Sequence, residues 1–222
     1  MLEHVWERAM MTRYLTGLVI ATDDERIREA ANAFRARVVM TRSDHISGTD
    51  RVAEAASASD AHIVVNIQGD EPLIDPSAID AAILGLLESD DAEMGTLATR
   101  IERSEDIADP NVVKVVMDAQ GNAIYFSRAP IPYQVAQASA GEARATYFKH
   151  IGLYVYRRDF LLEYPALPVG PLERTERLEQ LRALENGHKI RVVETAYDSL
   201  GVDTPEDWHR VSELYEKTSM TG

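Results

Sequence analysis

The chain has 222 residues, 45% of them hydrophobic, and a formal net charge of -14. That length suffices for one α/β domain with a full core, and the acidic balance disfavours nucleic acid and anionic membrane surfaces as partners. There is no cysteine, which excludes disulfides, thiolate catalysis and cysteine-ligated zinc. No apolar run approaches the roughly 20 residues of a membrane span, and Met1-Leu2-Glu3-His4 does not read as a signal peptide. The expectation is a cytoplasmic protein.

Leu2, Val5, Trp6, Ala9 and Met10 fall at helical spacing, so the chain opens in a helix. Leu18 to Ala21 reads as a short buried strand. Thr22-Asp23-Asp24 can cap a following helix whose apolar face is Ile27, Ala30, Ala31 and Phe34. Val38 to Met40 is a strand, Thr41 to Gly48 a polar loop, and a third helix begins near Thr49. Ile63 to Ile67 is apolar at nearly every position, the pattern of a parallel strand covered on both faces. This alternation predicts a doubly wound, mostly parallel sheet.

After about Gly95, strands dominate: Thr96 to Ile101, Val112 to Met117, Ala123 to Ser127 and Phe148 to Tyr156, with Asp118 to Asn122 as a hairpin turn. Pro130 to Ala145 reads as a mobile loop. Arg174 to Glu185 reads as one helix with Leu178, Leu181 and Leu184 on one side, ended by Asn186-Gly187. Ile190 to Val193 is a further strand, and Thr204-Pro205 opens a last helix with Thr as its cap. The whole, 1–222, reads as a single domain with a strand-rich part at about 96–157.

Chemistry concentrates at four places. At Asn66-Ile67-Gln68-Gly69-Asp70-Glu71-Pro72 a strand stops at a glycine and adjacent carboxylates follow. Ligands of open α/β sheets bind at such strand ends, and carboxylates there suit a hard cation held against phosphates; the plainer reading is a solvated turn. Between Thr41 and Arg51, Ser47-Gly48-Thr49 starts a helix whose N–H groups, with Arg42, can serve a phosphate or ribose, or merely cap the helix. Asp203, between a loop and a helix, is either a capping neighbour or a second carboxylate meeting Asp70 around a shared cation. Arg128, His150, Tyr154, Glu179 and Gln180 would together suit a polyhydroxylated acid, with Arg on its carboxylate. His150 and Tyr154, four apart on a strand, share a face, although a buried His and Tyr bonded to neighbours would show the same pattern.

Six segments taken in order resemble the 3-deoxy-manno-octulosonate (Kdo) cytidylyltransferase family. They are Met40 to Arg51, Asn66 to Pro72, Tyr125-Phe126-Ser127-Arg128-Ala129-Pro130-Ile131-Pro132, His150-Ile151-Gly152-Leu153-Tyr154, Leu178-Glu179-Gln180-Leu181-Arg182 and Gly201-Val202-Asp203-Thr204-Pro205-Glu206-Asp207. The resemblance implies a nucleotidyltransferase-type α/β fold with a smaller antiparallel dimerisation part, and a homodimer. It implies that CTP and Kdo give CMP-Kdo and diphosphate for lipopolysaccharide synthesis, a related branch serving capsule. By motif, Asp70 and Asp203 are the Mg²⁺ carboxylates and the catalytic pair. Gln68, Arg128, His150, Tyr154, Glu179 and Gln180 form the sugar-acid pocket, and Arg42, Ser47 and Gly48 belong to the cytidine site. A cytidylyltransferase for 8-amino-Kdo or a sialic acid, or an inactive relative, are the alternatives.

The chain departs from the family at its start. Members open with a strand and an Ala-Arg…Ser-Thr-Arg…Pro-Gly-Lys-Pro-Leu loop for the triphosphate, and this chain starts at the following helix. A vacant central slot would leave unpaired backbone groups beside Leu18 to Ala21 and Ile63 to Ile67, each costing ~1–3 kcal/mol if buried. The expectation is therefore an additional N-terminal segment in the natural gene product, or another peptide in the slot. Without either, triphosphate binding should be poor.

Overall fold

A computed structural model describes residues 1–135, 145–202, 204, 207–209 and 211–213. Helix α1 (Leu2–Ala9) leads to strand β1 (Ile20–Thr22), helix α2 (Glu25–Ala33), strand β2 (Val38–Met40), helix α3 (Gly48–Ser57) and strand β3 (Ile63–Asn66). Helix α4 (Pro76–Leu87) precedes β4 (Met94–Arg100), helix α5 (Ser104–Ala108), β5 (Lys114–Met117), β6 (Ala123–Ser127) and β7 (Phe148–Arg157). Helices α6 (Arg158–Glu163), α7 (Pro171–Glu176) and α8 (Leu181–Glu185) and strand β8 (Ile190–Glu194) follow. The α/β class expected from the alternation holds.

Local chemistry sets the element ends. Asp24 and Asp75 accept N–H bonds from Arg26 and Ser77 at the starts of α2 and α4. At α3, Ser47 and Asp50 form a reciprocal capping box. Gly121, at φ 84°, turns the β5–β6 hairpin where an L side chain would be strained. Helix α4 is apolar almost all round, buries Ala78, Ile79, Ala82, Ile83 and Leu86, and carries no polar stripe to mark its period in the sequence. It packs so closely on the sheet that a Cβ at Gly85 would lie 2.2 Å from Val193.

The sheet is mixed. The six-stranded sheet runs β6-β5-β7-β4-β8, with β3 also paired to β7. Strand β4 is parallel to β8 and antiparallel to β7. Ten-residue β7 shares its other edge between two partners, β5 at Phe148–Lys149 and β3 at Tyr154–Arg157. His150 N–H continues the β5 side by bonding the Val113 carbonyl at 2.8 Å, and residues 151–153 separate the two partners. Apolar residues pack on both faces, one cluster around Phe126, Tyr156, Leu161 and Leu181, the other around Ile79, Leu97, Ile151 and Leu153.

Four expectations are corrected. Strand β3 pairs antiparallel and its apolar side chains are only partly buried, so its continuous apolar run does not mark a parallel strand closed on both faces. Strands β1 and β2 form a separate parallel pair. On α2, Ala31 is buried but Ile27 and Ala30 are exposed, because no element of the described residues covers that face. The single helix over Arg174–Glu185 is two, α7 and α8, broken at Arg177, which adopts a left-handed φ of 53°. Residues 136–144 of the expected loop lie outside the described residues.

Candidate functional site

The break between α7 and α8 positions two of the candidate residues. By leaving helical geometry at Arg177, the chain turns Glu179 and Gln180 inward, where Gln180 is only 3% exposed. Ser47 Oγ donates to Glu179 Oε1 at 2.9 Å, and Thr49 bonds the same carboxylate. Tyr164 O–H, just past α6, donates to the Glu179 carbonyl at 2.7 Å and fixes the turn from behind. Arg182 grips Glu173 across the break, at 2.9 and 2.6 Å, with both side chains buried. Burial raises the Glu179 pKa, an effect that the Thr49 and Ser47 hydroxyls oppose.

On the strand side, the His150 and Tyr154 rings lie 5.5 Å apart, and Tyr154 lies 6.2 Å from Tyr156. The shared face expected from their spacing is present. Phe126 meets His150 edge-on at 5.0 Å. Desolvation pushes His150 down to about 3 and raises the Tyr154 and Tyr156 phenols, so all three are neutral near pH 7. Among the described residues Gln180 Nε2 is buried with no hydrogen-bond partner, which leaves a donor for a guest.

Asp70 stands just beyond β3 in the turn 67–72. Val202 donates its backbone N–H to the Asp70 carbonyl at 3.0 Å, so the C-terminal segment reaches this turn one residue before position 203. Asp203 itself lies outside the described residues. Glu71 is buried, accepts from Tyr197 O–H at 3.1 Å and is pushed up to about 7, mainly by desolvation. Lys149 reaches Asp198 at 2.7 Å and the Ser199 carbonyl at 3.2 Å, which holds the same segment to β7. Thr204 and Asp207 cap each other, the hydroxyl accepting from Asp207 N–H and the carboxylate from Thr204 N–H, as the sequence led one to expect of Thr204.

The remaining candidates scatter. Arg128 donates Nε to the Glu176 carbonyl and Nη1 to Pro110, at 2.8 and 3.0 Å, so part of its fork is structural. Lys114 spends its three protons on the carbonyls of Asp109, Val112 and Arg128 and so braces that corner. Arg42 is exposed and paired with Asp44 at 3.0 Å, apart from Ser47, which joins Glu179 instead. Gly48 is exposed at the start of α3, and Gln68 is exposed just past β3. Thr96 and Tyr197 carry no periodic or charged signal in the sequence, and Thr49 is legible there only as part of the start of α3. Among the described residues there is no cluster of three or more His, Cys, Asp or Glu able to hold a metal, and no helix long and apolar enough to cross a membrane.

A cytidylyltransferase family model matches residues 1–190. A 3-deoxy-manno-octulosonate cytidylyltransferase of Solibacter usitatus is 65% identical over all 222 residues, which span 86% of that relative. The chain belongs to the 3-deoxy-manno-octulosonate cytidylyltransferase family. A Geobacter sulfurreducens member is 52% identical over 219 residues, 96% of this chain and 88% of its own. Among solved structures, a CMP:2-keto-3-deoxy-manno-octonic acid synthetase complexed with CTP superposes with a TM-score of 0.90 at 39% identity, covering 98% of this chain and 88% of its own. HddC from Yersinia pseudotuberculosis complexed with GMP-PN superposes at 0.63 with 12% identity, over 96% of this chain and 83% of its own, and shares the fold. The nucleotidyltransferase-type fold and the enzyme class expected from the motifs both hold.

Proposed function

We propose that the chain transfers CMP from CTP to the anomeric hydroxyl of Kdo, giving CMP-Kdo and diphosphate for lipopolysaccharide synthesis. The observation that carries the reading is the set of neutral and hydroxyl-bonded groups around His150, Tyr154, Glu179 and Gln180, in a chain 65% identical throughout to a Kdo cytidylyltransferase. Such a pocket suits a polyhydroxylated acid. Neutral His and Tyr read hydroxyls, the Glu179 carboxylate accepts from one, and the Gln180 amide donates. The Arg128 guanidinium, with Nη2 left over from its structural bonds among the described residues, is assigned to the acid's carboxylate. Arg42, Ser47 and Gly48 are assigned to the nucleotide side and Gln68 to the acid, as the motifs imply.

The anomeric oxygen attacks the α-phosphorus as the bond to diphosphate breaks, a reaction governed by positioning and charge neutralisation. Asp70 and Asp203 are the residues assigned to hold Mg²⁺. The donor set fits: both are hard carboxylates, and the Asp70 turn is bonded to the residue preceding Asp203. Mg²⁺, when bound, screens phosphate charge and lowers the pKa of a hydroxyl at phosphorus. The protein's own part is to orient the acid and to hold the two carboxylates together. We assign the strand-rich part, about 96–157, to contacts between the two subunits of a cytoplasmic homodimer within a single domain.

Diphosphate release from CTP, with and without Kdo and Mg²⁺, tests the reading. Kdo-dependent release supports it, and release only with 8-amino-Kdo or a sialic acid reassigns the substrate. No release with any acid marks an inactive relative. Asp70→Asn and Asp203→Asn should each lower kcat by on the order of 100-fold or more while CTP binding changes little, because the interaction they support is strongest in the transition state. Unchanged turnover removes them from the metal site.

A further inference from the structure

Strand β7 does not run in simple register with β4. Thr96 faces Tyr154, but the next residue, Leu97, faces Ile151, so Gly152 and Leu153 have no counterpart on β4. A bulge of this kind takes the Leu153 carbonyl out of the ladder. The fully buried Thr96 hydroxyl meets that carbonyl, with Oγ1 2.8 Å from it, and lies 3.0 Å from the carbonyl of Ile151, which faces Leu97 in the ladder. The same oxygen lies 3.1 Å from His150 Nε2.

A threonine hydroxyl has one proton and two lone pairs, whereas a carbonyl oxygen only accepts. Were the proton given to His150, the Leu153 carbonyl would face an Oγ1 lone pair at 2.8 Å and stay unpaired in the bulge. The proton therefore belongs to the Leu153 carbonyl, and toward His150 the hydroxyl accepts. The imidazole then carries its hydrogen on Nε2 and presents Nδ1 as a bare acceptor. Among the described residues Nδ1 has no hydrogen-bond partner, and the His150 side chain is only partly buried. The ring's low basicity in this setting agrees with a single neutral form.

We propose that Thr96 is a positioning residue that fixes His150 as the Nε2–H tautomer, so that Nδ1 accepts a hydrogen bond from a hydroxyl of the bound acid. The tautomer follows from the bulge alone; its use rests on the sugar-acid reading above. An acid whose corresponding position lacked a hydroxyl, or bore a hydrogen-bond acceptor only, would leave Nδ1 unpaired and be discriminated against.

The test is a long-range ¹H–¹⁵N spectrum of the full chain labelled at histidine, with His150 assigned by its loss in His150→Gln. The expected result is the Nε2–H pattern near pH 7.5 in the wild type, kept in Thr96→Ser and lost to a tautomer mixture in Thr96→Val. In turnover, Thr96→Val should raise KM for Kdo by about tenfold, the size of one misplaced hydrogen bond, with KM for CTP unchanged. Thr96→Ser should restore it. An Nδ1–H pattern in the wild type overturns the proposal even if Thr96→Val fails to fold. So does a folded Thr96→Val with unchanged pattern and KM. An Nε2–H pattern in a chain with no Kdo-dependent turnover upholds the tautomer assignment and overturns the choice of acid, so the two failures are distinct.

Discussion

At the scale of single residues, His150 shows how burial turns a pH-sensitive group into a fixed one. With the Phe126 and Tyr154 rings beside it, its pKa falls to about 3 against an ordinary 6.5. The unfolded chain binds a proton at position 150 below pH 6.5, and the folded chain does not until near pH 3. The contribution of the neutral ring is thus complete above pH 6.5 and is lost progressively as pH falls from there toward 3. His150→Gln removes this linkage. The stability difference between wild type and variant, from urea unfolding, should therefore shrink by on the order of 1–2 kcal/mol between pH 8 and pH 5. A difference independent of pH would mean that the ring remains protonatable in the fold. The sequence made this residue visible, since its spacing from Tyr154 on an apolar strand was enough. Its partner Thr96 was not visible, because the register shift that recruits the hydroxyl depends on pairing with a distant segment.

At the scale of elements, the break between α7 and α8 was hidden for a different reason. Leu178, Leu181 and Leu184 keep helical spacing, and the turn at Arg177 carries no Gly or Pro to announce it. Tertiary contacts hold the break open: Tyr164 on the Glu179 carbonyl, Ser47 on the Glu179 carboxylate, and the buried Arg182–Glu173 pair spanning both helices. The Arg182 guanidinium also lies 5.2 Å over the Tyr164 ring. Removing one partner of a buried ion pair leaves a charge with no compensation, which costs about 3–5 kcal/mol. Glu173→Ala should lose stability of that size in chemical denaturation. Glu173→Leu combined with Arg182→Met should recover most of it, because the pair is then replaced by apolar volume. Equal losses in the single and double variants would show that the cost does not come from the uncompensated Arg182 charge. The Ser47–Asp50 capping box, by contrast, was legible in outline, because a polar loop followed by Thr49 and a run of small residues marks a helix start by local chemistry alone.

At the scale of the whole molecule, the sheet carries a division that the strand pattern did not reveal. Among the described residues, strands β1 and β2 pair only with each other, and β3 pairs only with β7. In the parallel pair, Ile20 N–H reaches the Arg37 carbonyl and Thr41 N–H reaches that of Thr22, so by alternation Ala21 directs its N–H and C=O to the other side. In the antiparallel pair, Arg158 N–H bonds the His62 carbonyl, which places the inward ladder groups at Val64 and Asn66 and turns those of Ile63 and Val65 away from β7. Both edges are apolar, and Val19, Leu18 and Ile67 continue them, yet β1 and β3 remain only partly buried, apart from Thr22 and Asn66. Backbone groups on such an edge are protected only by local shielding, whereas those in the ladder open with the sheet. Native-state amide exchange at the two edges should therefore alternate with residue number. Ala21, Ile63 and Val65 should exchange orders of magnitude faster than Val64, Asn66 and the β4–β7 ladder. Equal protection along β3 would mean that a strand-like partner occupies this edge in solution, and adding a peptide of that kind in trans should then leave the pattern unchanged.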